Sequence, residues 1–157
     1  ALVVDPDERI EDQAGSIIRP ILEHERGEVL YRLRLCELFA PDAYRVDGRW
    51  GALRRARIYP VRPGQHMSSK PIHAPPIPVN TGYPRVDLDV NLYHLKMIEP
   101  QNRPERARAY ARAEAQHGVP RRHWSRLHQT SGMRLQPLSS GRGFSPTYNR
   151  PYLVGAR

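Results

Sequence analysis

Ala1-Leu2-Val3-Val4-Asp5-Pro6-Asp7-Glu8 opens the chain with an apolar run that breaks off into three acids. Leu2, Val3 and Val4 make a short, continuous, mostly β-branched run, which reads as a strand buried on both faces of a sheet. Such strands sit centrally, and the ligands of open α/β sheets gather at their carboxyl ends. Asp5, Asp7 and Glu8 stand at such an end. A chain that opens on a central strand is expected to lack the half that flanks it, so the stretch reads as the start of the back half of an enzyme.

Working outward, Ile17, Ile18, Ile21 and Leu22 repeat at helical spacing between about Asp12 and Arg26, with Pro20 expected to kink or shorten the helix and Gly27 to stop it. Residues 29–38 alternate, with Val29, Tyr31, Leu33 and Leu35 on one face and Arg32 and Arg34 on the other. That pattern predicts a half-exposed strand of an antiparallel pair. Residues 41–51 read as a loop holding Asp47, Gly48 and Trp50. Residues 54–60 read as a short strand with Ala56 and Ile58 inward, closed by the Pro63-Gly64 turn. Prolines make 68–85 an irregular crossing of the surface. Val86, Leu88, Val90 and Leu92 then alternate with Asp87, Asp89 and Asn91 as a further strand. A helix is predicted over 103–116, with Asn102 as its N-cap, Glu105 three residues on and Gly118 as its stop. It carries more arginine than apolar surface, so it is expected on the outside. Residues 119–157 show no period and are expected to form an irregular extension rich in Pro, Gly and Arg; residues 1–118 then make up the catalytic portion. The fold class is α/β, a mixed sheet with flanking helices and a long irregular C-terminal region.

Composition narrows the chemistry. The 157 residues suffice for one ordinary domain, but 16 prolines leave much of the chain to loops and only a modest core. No apolar stretch approaches the length of a membrane span. The single cysteine, Cys36, makes no internal disulfide and fits a reducing compartment, where it is expected to be a packed thiol. The formal net charge of +9 is uneven: residues 1–50 hold 11 acids and 7 bases, whereas residues 51–157 hold 5 acids and 18 bases. All the bases but Lys70 and Lys96 are arginine, whose fork binds phosphate bidentately. A basic half beside an acidic corner suits a metal–diphosphate ligand, and suits nucleic acid or an anionic membrane surface equally.

In the acidic corner, Asp5 and Asp7 lie two positions apart. A hard cation such as Mn²⁺ or Mg²⁺ takes oxygen ligands of this kind and keeps sites for water and phosphate oxygens. Asp7 is the candidate for direct contact and Asp5 for contact through water or a ribose. A plain solvated turn is the competing reading of the same residues.

Val3-Val4-Asp5-Pro6-Asp7-Glu8-Arg9-Ile10, a helix, and then Tyr31-Arg32-Leu33-Arg34-Leu35 resemble the middle of a family 2 glycosyltransferase of the GT-A fold, in which a strand ends in an Asp-x-Asp-Glu motif. Asp47-Gly48-Arg49-Trp50-Gly51 through Arg57-Ile58-Tyr59-Pro60 looks like that family's Trp-Gly turn and following strand, and Pro71-Ile72-His73 like its Leu-His. Tyr93-His94-Leu95-Lys96-Met97-Ile98, with Asn102, Arg103 and Arg106, is similar to a Tyr-His-Leu-Lys block of actinobacterial members, and Gly141-Arg142-Gly143-Phe144-Ser145-Pro146 to their C-terminal tail. The similarity follows the family's order along nearly the whole chain.

The resemblance implies a partial GT-A-like sheet and transfer of a sugar from a nucleotide-sugar donor to a carbohydrate or lipid-linked acceptor, assisted by Mn²⁺ or Mg²⁺. Asp5 and Asp7 would hold metal and donor, with His73 or His94 as a further metal or diphosphate contact. Trp50 is the candidate for stacking on an acceptor sugar. Two departures accompany it. The family's nucleotide-binding N-terminal part has no counterpart here, and Ala74-Pro75-Pro76 follows His73 where members carry a catalytic carboxylate. Asp87 and Asp89 are the nearest candidates for the general base. The work is expected in the cytoplasm, with the basic half drawing the protein to the inner face of the membrane. A nucleic-acid-binding module, stacking bases on Tyr59, Tyr83, Tyr93, Tyr110, Trp124 and Phe144, and a structural fragment without activity are the alternatives.

Overall fold

The computed structural model describes residues 1–24, 27–70, 74–79, 81–118, 127 and 129–145, and among them a mixed six-stranded sheet organises the chain. Its strands are β1 (Glu8–Ile10), β2 (Leu30–Ala40), β3 (Ala43–Arg45), β4 (Arg54–Ile58), β5 (Arg85–His94) and β6 (Leu135–Pro137). The helices are α1 (Ala14–His24) and α2 (Asn102–Gln116). The sheet order is β1-β5-β2-β3-β6, with β4 also paired to β2. The architecture is therefore α/β with parallel and antiparallel pairs in one sheet.

β2 is the centre of this arrangement. One edge runs parallel to β5; the other is shared by β4 along its first half and β3 along its second, both antiparallel. Tyr31, Leu33 and Leu35 enter one apolar cluster with Leu88, Val90 and Leu92 of β5, Ile58 of β4 and Ala14 and Ile18 of α1. The alternation thus assigned the inward face correctly. The partner differs: the expected half-exposed antiparallel strand is a central one with a parallel neighbour. From Cys36 to Phe39 every residue is buried, as befits a strand covered on both faces.

The opening residues correct the sequence reading. Leu2 and Val4 are exposed, and the segment lies along β4 through a single bridge from Leu2 to Ile58. The Val3 N–H donates to the Arg57 carbonyl at 2.9 Å, and the Tyr59 N–H to the Ala1 carbonyl at 3.0 Å. A three-residue apolar run followed by Pro6, which has no N–H to donate, is too short to hold a central position. The acids instead occupy a turn closed by the Glu8 N–H on the Asp5 carbonyl at 2.9 Å, and β1 begins only there, pairing Glu8 with His94.

Three further differences have identifiable causes. α1 runs straight through Pro20 to His24, with Ile17 and Ile21 seated on the first apolar cluster. The N-cap of α2 is Gln101 rather than Asn102, and it makes no side-chain cap bond. α2 is also anchored by a buried arginine: Arg103 donates to the Met97 and Phe39 carbonyls at 2.7 and 2.9 Å, and its guanidinium lies 4.4 Å from the centre of the Phe39 ring. Counting charges could not show that one of them caps backbone carbonyls. Gly118, at φ +62°, ends the helix as expected.

The C-terminal region is less irregular than its sequence. β6 pairs with β3, a hairpin strand in what was read as loop, and Phe144 enters a second apolar cluster with Cys36, Leu38, Tyr44, Tyr93, Leu95 and Ile98. Residues 129–145 therefore belong to the body of the fold.

A candidate site where an acidic turn meets an arginine wall

A cavity of about 590 Å³ opens beside the turn that carries the acids, and Glu8, Glu37, His94, Lys96, Trp50 and Tyr110 are among the side chains that line it. Its lining also holds six arginines, at positions 32, 49, 54, 55, 57 and 85. A cavity so furnished favours an anionic ligand with polar substituents.

His94, the last residue of β5, is the hub. Its Nδ1 donates to Glu37 Oε2 at 2.9 Å, while Nε2 lies 3.5 Å from Asp7 Oδ2. Glu37 stands opposite on β2 by the parallel register that pairs the two residues. Asp7 arrives from the turn before β1, fixed by the Leu95 N–H on its carbonyl at 2.8 Å. Lys96 Nζ completes the group 3.4 Å from Asp7 Oδ2 and lies over the Tyr110 ring. Burial presses His94 toward its neutral form, but the Glu37 carboxylate, backed by bonds from Asp7 and Glu37, outweighs burial and raises the ring from 6.5 to about 9. Burial likewise works against the Asp7 carboxylate, and His94 and then Lys96 more than offset it, holding Asp7 well below the usual carboxylate range. At neutral pH the Asp7 carboxylate therefore faces a His94 imidazolium.

Arg57 forms the second charged group. A bulge in the β2–β4 pairing leaves it without an opposite residue on β2, between the Tyr31–Ile58 and Arg32–Ala56 pairs. Its guanidinium donates to both Glu8 oxygens, at 2.5 and 3.0 Å, and to Asp5 Oδ2 at 3.1 Å. Arg57 and Glu8 are both buried, so this is an internal ion pair.

Of the residues singled out from sequence, Asp7 meets His94 and Asp5 meets Arg57; Asp5, His94 and Trp50 line the cavity, Trp50 while packing beside Phe39 and Met97. His73 lies outside the described residues. Asp87 and Asp89 are not in the lining: Asp87 is paired with Arg32 at 2.6 Å on an exposed face, and Asp89 with Arg142 at 2.9 Å. Asp5 and Asp7 do not present a shared cation site, since Arg57 holds one and His94 and Lys96 hold the other. Among the described residues no three His, Cys, Asp or Glu side chains converge on a metal position. As placed, these residues do not fit a divalent ion.

Sequence reasoning passed over Glu37 and Arg57. An acid in the middle of Leu35-Cys36-Glu37-Leu38-Phe39 is itself a signal, because a buried carboxylate requires a partner. Cys36 proves a packed thiol, pushed up to about 12 by burial. No helix among the described residues is long and apolar enough to cross a membrane. No family model, curated protein or solved structure matches the chain.

Proposed function

We infer that the protein acts as a nucleotide-sugar-dependent glycosyltransferase of the family 2 kind, with the cavity beside Asp7 and His94 as its donor side. The observation that carries this reading is a convergence. The Asp-x-Asp turn and the Tyr93-His94-Leu95-Lys96 block each resemble that family in sequence, and they meet within 3.5 Å although one precedes the first strand of the chain and the other ends the fifth.

In this reading the donor's diphosphate lies against the arginine-lined wall, where guanidinium forks meet its oxygens. His94 and Lys96 supply further positive charge at the point where the leaving diphosphate gathers charge. Glu37 keeps the imidazole in one orientation, and Trp50 offers a ring edge to the acceptor. A carbohydrate or lipid-linked acceptor is the partner this implies. No step is routed through a divalent ion, since holding one would require Asp7 to leave His94 and Lys96, and Asp5 to leave Arg57.

Calorimetric titration of uridine and guanosine diphosphate, with and without Mn²⁺, tests the reading on this chain and on Asp7→Ala. Binding of either nucleotide that weakens in Asp7→Ala supports a donor site at this turn, and enhancement by Mn²⁺ adds the metal to it. No binding under either condition rejects the donor site.

A further inference from the structure

The cavity's arginines are not equivalent. Arg32 and Arg54 both reach Asp87, at 2.6 and 3.9 Å, and Arg57 is committed to Glu8 and Asp5. Among the described residues, Arg49 and Arg55 make no ion pair with a carboxylate; the Arg49 guanidinium lies 5.8 Å from the centre of the Trp50 ring. Like charges are thus gathered on one concave surface without enough acid to compensate them. Such an arrangement costs free energy until an anion joins it.

We propose that Arg49 and Arg55, standing beside Arg57, form a metal-independent binding site for the phosphate group of a phosphate ester or diphosphate. The site rests on and deepens the transferase reading, which sets the donor diphosphate against this same wall, although a phosphate-bearing ligand would occupy the wall even if no sugar is transferred. Arginine suits the task because its fixed fork presents parallel N–H donors to two oxygens at once. The tilt of the electrostatics agrees. Desolvation in the cavity wall, then Arg57 and Arg49, lowers the pKa of Arg55, and Glu37 and Glu8 offset only part of that. The placement also favours a small ligand over nucleic acid, since the unpaired guanidinium groups line a cavity, whereas the arginines at 108 and 112 lie exposed along α2.

The test is titration of inorganic pyrophosphate into the intact chain in the presence of a chelator, repeated on Arg49→Gln/Arg55→Gln and on Arg108→Gln. Pyrophosphate should bind without metal. The double substitution should raise its dissociation constant at least about tenfold, the loss expected for charge-assisted hydrogen bonds. Arg108→Gln should bind as the parent does. Because Arg49 and Arg55 face solvent in the cavity, the melting temperature should stay unchanged, which separates lost binding from lost folding. Flotation with phosphatidylcholine vesicles, with and without phosphatidic acid, then distinguishes a lipid phosphate from a soluble one: capture that needs Arg49 and Arg55 assigns the lipid source. Absence of pyrophosphate binding, or equal weakening by Arg108→Gln, overturns the proposal; the latter would mark general attraction to a basic surface. Tighter binding of arbitrary duplex DNA that ignores the double substitution would overturn it too.

Discussion

Arg142 closes on Glu11 across 131 positions of sequence, its Nε and one Nη donating to the two carboxylate oxygens at 2.8 and 3.0 Å. The other Nη reaches Asp89 Oδ1 at 2.9 Å, and the Arg142 carbonyl accepts from the Tyr93 hydroxyl. Glu11 is almost fully buried, so this one arginine compensates an internal charge and fastens the C-terminal segment to β5. Arg142→Ala is expected to cost about 3–5 kcal/mol, because it leaves Glu11 buried and unpaired. Urea unfolding reads the loss. A change below 1 kcal/mol, the range of exposed pairs, would show that the segment is not fastened in this way.

The Arg57–Glu8 pair should behave similarly but admits a rescue. Arg57→Met is expected to destabilise by about 3–5 kcal/mol, and adding Glu8→Leu should recover much of that, since an apolar pair of similar volume avoids the desolvation penalty. A double-mutant cycle measures the coupling; additive losses would deny that the two side chains interact.

Stability should depend on pH through His94 and Asp7 with opposite signs. His94 titrates near 6.5 when unfolded and at about 9 when folded. Its stabilisation is therefore complete below pH 6.5 and lost as pH rises through 9. Asp7 is held below its ordinary 3.8, so its contribution is present above that value and fades as pH falls beneath it. Melting temperatures should be highest between those two ordinary values and decline toward pH 9. His94→Gln should flatten the alkaline decline, and persistence of the decline in that variant would assign it to another group.

Cys36 offers a probe of opening. Only 1% of it is exposed, and burial raises its thiol to about 12. An alkylating reagent at neutral pH should react with the native chain orders of magnitude more slowly than with the urea-unfolded chain. Comparable rates would mean that the second apolar cluster is not formed in solution.

Periodicity made the inward faces of β2, β4 and β5 legible, because Leu33, Ile58 and Leu92 mark a buried surface whatever strand lies next to it. Neighbour choice was not legible. Nothing local to Tyr31–Leu35 says that β5, some fifty residues on, lies parallel to it, and the β3–β6 pair needed a three-residue strand from a stretch with no pattern at all. The opening run misled because Leu2-Val3-Val4 has the composition of a central strand without its length. At the candidate site, Asp5 and Asp7 stood out as paired acids after an apolar run, and His94 was singled out only through the family resemblance. Glu37 was hidden by its apolar surroundings and Arg57 by the bulge that turns it, an irregularity of pairing with no sequence mark.

β1 spans three residues at the edge of the sheet, and the turn before it supplies Asp7. Short edge strands are the first to detach in native fluctuations. The Asp7–His94–Glu37 row therefore depends on a three-residue edge strand, while His94 and Glu37 rest on the largely buried β5 and β2. Detachment of β1 releases the Leu95 amide from the Asp7 carbonyl. That amide should exchange with solvent deuterium ahead of those in the middle of β5, so the charge row disassembles reversibly while the centre of the sheet stays folded.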